Sequence, residues 1–248
     1  MCRHIAYLGE PRSLSSLLVE PKHSLVRQSY APREQRHGKV NADGFGVGWY
    51  APGDPEPARY RQDTPIWSDP SFPDLARVVR STAIIAAVRS ATAGTAGGVE
   101  AAAPFSDSTY LFSHNGAIAG WPDQLAGLLD KIPADRLVDL VARTDSALIW
   151  AIVQEALASG LSPDRALTST VQQLRAESAG RLNLLLLSRR QIFATRSGDT
   201  LYHRELSDGV VVASEPYDDA PGWTAVPEDS VLIATPSHID IQPIRAEM

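Results

Sequence analysis

NADGFGVGWY, residues 41–50, carries glycine at positions 44, 46 and 48. On an extended strand these glycines share one face, and Phe45, Val47 and Trp49 share the other. One side of the strand is then bare backbone and the other is bulky and apolar. Glycine inside a strand weakens it and marks the close approach of another backbone or of a ligand. Two readings follow: a second sheet packed at short distance on the glycine face, or a ligand seated there. A dinucleotide fingerprint is excluded, because GxGxxG begun at Gly44 requires glycine where the chain has Trp49.

Outward from this stretch the predicted elements segregate. Short strands fill the first 118 residues, helices occupy about 122–179, and strands return from 182 to the end. Such segregation indicates an α+β arrangement instead of βαβ alternation. Thr144 and Asp145 stand where an N-cap belongs, ahead of the periodic run Leu148, Ile149, Ile152, Val153 and Leu157, and Gly160 closes that helix. Ser162, Pro163 and Asp164 open a second helix through Leu167, Val171 and Leu174. Leu184–Leu187 is an uninterrupted apolar run, the mark of a strand covered on both faces. IFATRSG, TLYHREL, GVVVAS, SVLIATP and HIDIQPI follow as further strands. The expected fold is a four-layer αββα sandwich of two mainly antiparallel sheets with helices outside. With no repeat and no linker, residues 1–248 are expected to form a single domain.

The chain has 248 residues, 44% of them hydrophobic, enough for a substantial core. Its sole cysteine, Cys2, rules out an internal disulfide and any CxxC pattern and fits a reducing compartment. The opening residues lack the apolar stretch of a signal peptide. No segment approaches the roughly 18 apolar residues of a membrane span, so a cytoplasmic protein is expected. The net charge of -6 argues against a nucleic-acid partner. Against this balance runs a basic stretch of Lys22, Arg27, Arg33, Arg36, His37 and Lys39, broken by Pro21 and Pro32. It reads either as a solvated loop or as a mobile wall over an anionic ligand.

Three further motifs carry chemistry beside a plainer role. SHNGAIAG, residues 113–120, contains Asn115-Gly116, a strong hairpin-turn signal. The same pair offers a side-chain amide and an unencumbered backbone N–H, two donors suited to an oxyanion. AIIAAVRSATAGTAGG, residues 83–98, is a buried strand ending in Arg89 and a loop of small residues. There Arg89 either meets a surface acid or grips a ligand carboxylate, with Thr92 completing the grip. In RTDSALI, residues 143–149, Asp145 is explained as a helix cap and is also a candidate partner for an ammonium group. The six histidines show no metal-ligand spacing. Neither metal nor cofactor is expected. Cys2 itself is an accident of composition or a nucleophile that belongs at a chain end.

Taken in order behind an MC start, these motifs resemble the class II glutamine amidotransferase domain, a branch of the N-terminal-nucleophile hydrolases, over nearly the whole chain. The opening MCRHIAYLG looks like the branch that hydrolyses γ-glutamyl conjugates in ergothioneine biosynthesis. The resemblance implies that removal of Met1 exposes Cys2, whose α-amino group then serves as its base. It implies attack on a γ-glutamyl amide of a small molecule, with Asn115 and Gly116 stabilising the oxyanion. It further implies Arg89 on the glutamyl α-carboxylate, Asp145 on its α-ammonium and a contact from Thr92. The chain departs from the family pattern at Ser90 and Ala93, where many members carry Trp and His, and at Arg3, where glutamine users carry a small residue. A leaving group other than ammonia is consistent with these departures. The alternatives are a glutaminase subunit delivering ammonia to a partner chain and a binding protein that has lost catalysis.

Overall fold

The computed structural model describes residues 2–123, 126–129 and 132–245. Among these, one sheet holds seven strands in the order β11 (Thr224–Ala225), β9 (Tyr202–Leu206), β10 (Gly209–Ala213), β1 (Arg3–Ser13), β4 (Arg80–Val88), β2 (Phe45–Trp49) and β3 (Ala58–Gln62). The other holds six, in the order β13 (His238–Pro243), β12 (Ser230–Thr235), β8 (Ile192–Arg196), β7 (Gly180–Leu187), β6 (Leu111–Ile118) and β5 (Phe105–Ser106). Each strand pairing in both sheets is antiparallel. Helices α1 (Leu14–Leu18), α2 (Leu25–Gln28) and α3 (Phe72–Val78) accompany the first sheet. Beyond β6 come α4 (Ala126–Leu129), α5 (Ala134–Val138), α6 (Asp145–Ala158) and α7 (Pro163–Glu177).

Three buried clusters correspond to the three interfaces of a four-layer αββα sandwich. Alternate residues of the first sheet, among them Ile5, Tyr7, Phe45, Val47 and Ile84, pack on Leu14, Leu17 and Phe72 of the outer helices. Their neighbours in sequence, Ala6, Leu8, Ile85, Val210 and Val212, meet Leu185, Leu187, Ile192 and Leu232 of the second sheet. Leu182, Leu184 and Leu186 point the other way, onto Leu148, Ile152, Val171 and Leu174. The Leu184–Leu187 run is therefore covered on both faces, as its unbroken apolarity requires. Phe112 of β6 stacks on Trp150 of α6 with ring centroids 5.1 Å apart.

The glycine face of β2 lies against the second sheet. A Cβ at Gly46 would fall 2.3 Å from the Ala103 carbonyl oxygen, and one at Gly48 would fall 2.8 Å from Leu111. Close sheet packing therefore accounts for this pattern. The first 118 residues do not hold strands alone, since α1 and α3 lie among them. Five residues give α1 too little length for a periodic signal, and its start is set by Ser13, whose hydroxyl accepts from Ser16 N at 3.2 Å. Proline in the first turn of α3 reads as a loop in sequence while fitting an N-terminal helical position. No helix among the described residues is long and apolar enough to cross a membrane.

Candidate active site

Strand register brings four chain segments to one end of the first sheet. Arg3 and Phe45 both stand opposite Val88, and Ile5 stands opposite Ala213. Cys2, the residues before β2, those after β4 and those after β10 therefore emerge together. A cleft opens there, with Cys2, Arg89, Thr92, His114, Gly116 and Asp145 in its lining. Cys2 Sγ lies 3.9 Å from the Ser90 carbonyl oxygen. Burial pushes the Cys2 thiol above its ordinary value; Asp145 adds to that rise and Arg89 opposes it. A thiol so placed needs a base to become a nucleophile.

Arg89 follows the end of β4 and is anchored by neutral oxygens. Its Nη1 donates to the Asp43 carbonyl at 3.1 Å, and its Nη2 to Thr95 Oγ1 at 3.1 Å and the Ala96 carbonyl at 2.8 Å. Among the described residues no carboxylate forms an ion pair with it, so the surface-acid reading does not apply. The cap of α6 is Thr144, whose hydroxyl accepts from Ala147 N at 3.0 Å. Asp145 is therefore the first helical residue and not the cap. Its Oδ1 accepts from Ser146 N at 2.8 Å, and its Oδ2 from Thr92 Oγ1 at 3.2 Å and Ile118 N at 3.3 Å. This carboxylate is 3% exposed and likewise has no cationic partner among the described residues. One cleft thus presents a guanidinium and a carboxylate, each uncompensated, which is the complement of an α-amino acid zwitterion.

Asn115 and Gly116 do not form a turn. They lie inside β6, opposite Asn183 and Leu182 of β7. The ladder overrides the local hairpin preference, and glycine serves there for close approach: a Cβ at Gly116 would fall 1.8 Å from the Arg181 carbonyl oxygen. Gly116 lines the cleft, whereas the Asn115 side chain is fully buried and is not among the lining residues. Asn115 Nδ2 donates to Ser214 Oγ at 3.4 Å, and the same hydroxyl accepts from His4 N at 3.0 Å. Among the described residues Ser214 is the one acceptor of Asn115 Nδ2, and Asn115 Oδ1 is buried with no partner. His114 ties β6 to both neighbours, through Nε2 donating to the Arg181 carbonyl at 2.9 Å and Nδ1 meeting Ser146 Oγ at 3.0 Å.

His4 lies two residues after Cys2 but is a poor proton acceptor. Burial, then Arg3, then His114 pull it down to about 3 from 6.5. A Cys-His dyad through His4 is accordingly disfavoured. Sequence reasoning missed Asp43, Thr95 and Ser214, which hold Arg89 and Asn115, because the Asp43 and Ser214 contacts are remote in the chain and the Thr95 contact depends on the path of an irregular loop. It also missed Glu215, a fully buried partner of Arg3 at 3.8 Å. Arg3 in turn donates from Nε to the Cys2 carbonyl at 3.0 Å.

The sequence profile of the class-II glutamine amidotransferases matches residues 19–220. A γ-glutamyl-hercynylcysteine sulfoxide hydrolase of Mycolicibacterium smegmatis is 40% identical over 98% of this chain and 100% of its own length. The protein of that name from Mycobacterium tuberculosis is 40% identical over 97% of this chain and 96% of its own. In three dimensions a glutamine aminotransferase class-II domain protein from Silicibacter pomeroyi superposes with a TM-score of 0.71 at 24% identity, covering 98% of this chain and all of that one. The Bacillus subtilis glutamine phosphoribosylpyrophosphate amidotransferase superposes with a TM-score of 0.66 at 13% identity, over all of this chain and half of that one.

Proposed function

The chain belongs to the class-II glutamine amidotransferases, and from that premise we propose that it is an amidohydrolase that releases glutamate from γ-glutamyl-hercynylcysteine sulfoxide in ergothioneine biosynthesis. The observation that carries the reading is the pairing in one cleft of Cys2 with the uncompensated charges of Arg89 and Asp145. Arg89 grips the glutamyl α-carboxylate with its fork, Asp145 holds the α-ammonium, and Thr92 supports Asp145 through its hydroxyl.

Removal of Met1 gives Cys2 a free α-amino group, whose ordinary pKa is about 7.7–8.0. Near neutral pH that amine takes the thiol proton, and the thiolate attacks the γ-carbonyl carbon. Gly116 N–H and the second amide hydrogen of Asn115 stabilise the oxyanion. The C–N bond then breaks, and the departing amine takes the proton held by the α-ammonium of Cys2. Water, with its proton passed to the same amine, cleaves the glutamyl thioester and regenerates the thiol. A working thiol needs a reducing compartment, and the cytoplasm is the proposed location.

The test is an assay of the purified protein alone on γ-glutamyl-hercynylcysteine sulfoxide and on glutamine. Rapid release of glutamate from the first and slow turnover of the second are expected. Efficient glutamine hydrolysis with no cleavage of the conjugate would instead indicate a subunit that delivers ammonia to a partner.

A further inference from the structure

We propose that segment 34–40 forms the leaving-group wall of the cleft, and that Arg36 and Lys39 bind a carboxylate of the departing amine. This inference rests on the γ-glutamyl hydrolase reading above and adds recognition of the other half of the substrate.

The cations of the basic stretch divide into two groups. Lys22, His23 and Arg33 converge on Asp219, at 2.7, 2.9 and 3.4 Å. Arg27 lies over the ring of Tyr30 at 5.1 Å. Arg36, His37 and Lys39 are exposed, and their side chains have no carboxylate partner among the described residues. The part of the stretch left uncommitted is therefore contiguous, and its position is defined by its anchors.

At one end the Glu215 carboxylate accepts from Arg33 N at 3.1 Å and from Glu34 N at 2.8 Å. At the other, Asn41 N donates to the Ser29 carbonyl at 2.6 Å, and Asn41 Nδ2 donates to the Gln28 carbonyl at 3.1 Å and to Gln35 Oε1 at 3.0 Å. Between them Gly38 approaches Ser90, where an added Cβ would be 4.0 Å from Ser90 Oγ. Arg36, Glu34 and Glu215 are all within electrostatic reach of Tyr202, at the head of β9. Glu215 follows β10 and Ser90 follows β4, and in the sheet β1 runs between those two strands. A segment bonded to Glu215 at one end and passing beside Ser90 at Gly38 crosses the start of β1, where Cys2 lies.

The chemistry of the substrate says what this wall would meet. Arg89 and Asp145 face the glutamyl head, so the second half of the substrate extends away from them. When the amine released is an α-amino acid, a carboxylate sits one carbon from the departing nitrogen; ammonia carries none. A chain of net charge -6 repels such an anion overall, whereas segment 34–40 sets Arg36 and Lys39 against Glu34 alone, a local excess of positive charge.

The experiment compares γ-glutamyl-S-methylcysteine with its C-terminal amide, which differ in that carboxylate alone, using full-length enzyme freed of Met1. In the wild type kcat/KM favours the acid, and the preference shrinks as ionic strength rises. In the R36A/K39A double variant the preference falls by about three- to tenfold, the size expected of two solvent-facing charge contacts. The charge-conserving Arg36→Lys and Lys39→Arg variants retain it. An unchanged ratio in R36A/K39A, or an equal loss on both substrates, would overturn the subsite while leaving the hydrolase reading intact. Failure of the wild type to cleave γ-glutamyl-hercynylcysteine sulfoxide, run alongside, would remove the reading on which the subsite rests.

Discussion

Asn115 is held from behind by Ser214, whose hydroxyl accepts its Nδ2 at 3.4 Å across the gap between the two sheets. Because Ser214 also accepts from His4 N, one hydroxyl couples the strand that follows Cys2 to the proposed oxyanion donor. Replacing Asn115 by Ala is expected to lower kcat by about 10²–10³, the usual loss for one such donor. Ser214→Ala removes the acceptor of both Asn115 Nδ2 and His4 N; loss of the Asn115 bond, worth about 0.5–1.5 kcal/mol, is expected to lower kcat by about two- to tenfold with KM little changed. Ser214→Thr, which keeps the hydroxyl, should restore most of the rate. Steady-state kinetics on a γ-glutamyl substrate check all three. A Ser214→Ala effect confined to KM would contradict the assigned brace.

Arg89→Lys tests the glutamyl grip. A single ammonium cannot replace a fork that reaches the Asp43, Thr95 and Ala96 oxygens while facing the cleft. Loss of one charge-assisted hydrogen bond, about 1.5–3 kcal/mol, corresponds to roughly 10- to 150-fold in kcat/KM. Asp145→Asn keeps the shape and removes the charge proposed to hold the α-ammonium. It should weaken γ-glutamyl substrates while sparing compounds that lack the α-amino group, as competition binding would report.

Acid should weaken the fold through His4. The folded protein resists protonation of this side chain until pH falls to about 3, whereas the unfolded chain accepts the proton near 6.5. Between those values the unfolded state binds more protons, so stability rises with pH and is lost as pH falls through the window. Urea titrations at a series of pH values should show the midpoint dropping below about pH 6.5. In His4→Gln that slope should flatten. An identical slope in the variant would assign the acid sensitivity elsewhere.

Gly116→Ala is expected to damage the fold as well as the site. Its Cβ would overlap the Arg181 carbonyl, so β6 and β7 must separate locally, and overpacking of this kind costs about 1–3 kcal/mol. Thermal or denaturant unfolding of the variant measures the loss. A midpoint equal to the wild type would show that the ladder absorbs the added methyl.

The sandwich was legible because its pattern is carried by local alternation. Phe45, Val47 and their glycine neighbours separate the two faces of β2, and Leu184–Leu187 announces a strand covered on both sides. The start of α6 was legible only to within Thr144 and Asp145, since both are good caps; the bond from Ala147 N to the Thr144 hydroxyl makes Thr144 the cap and leaves Asp145 to Thr92 and Ile118. Asn115-Gly116 misled as a turn because a dipeptide preference cannot report that eight residues from Leu111 to Ile118 are paired with β7. Arg89, Thr92 and Asp145 were readable as candidates through the order of their motifs. The carbonyl of Asp43, the Ser214 hydroxyl and Glu215 were not, because their contacts join residues distant in the chain, and the Ala96 carbonyl was not, because its contact depends on the path of an irregular loop.

The most direct measurement is acid-quench mass spectrometry during turnover of a γ-glutamyl substrate. The account predicts a mature chain that begins at Cys2 and a transient glutamyl group on the peptide carrying that residue, with both adduct and turnover absent in Cys2→Ala. A glutamyl group trapped on another side chain, or full turnover by protein that retains Met1, would contradict it.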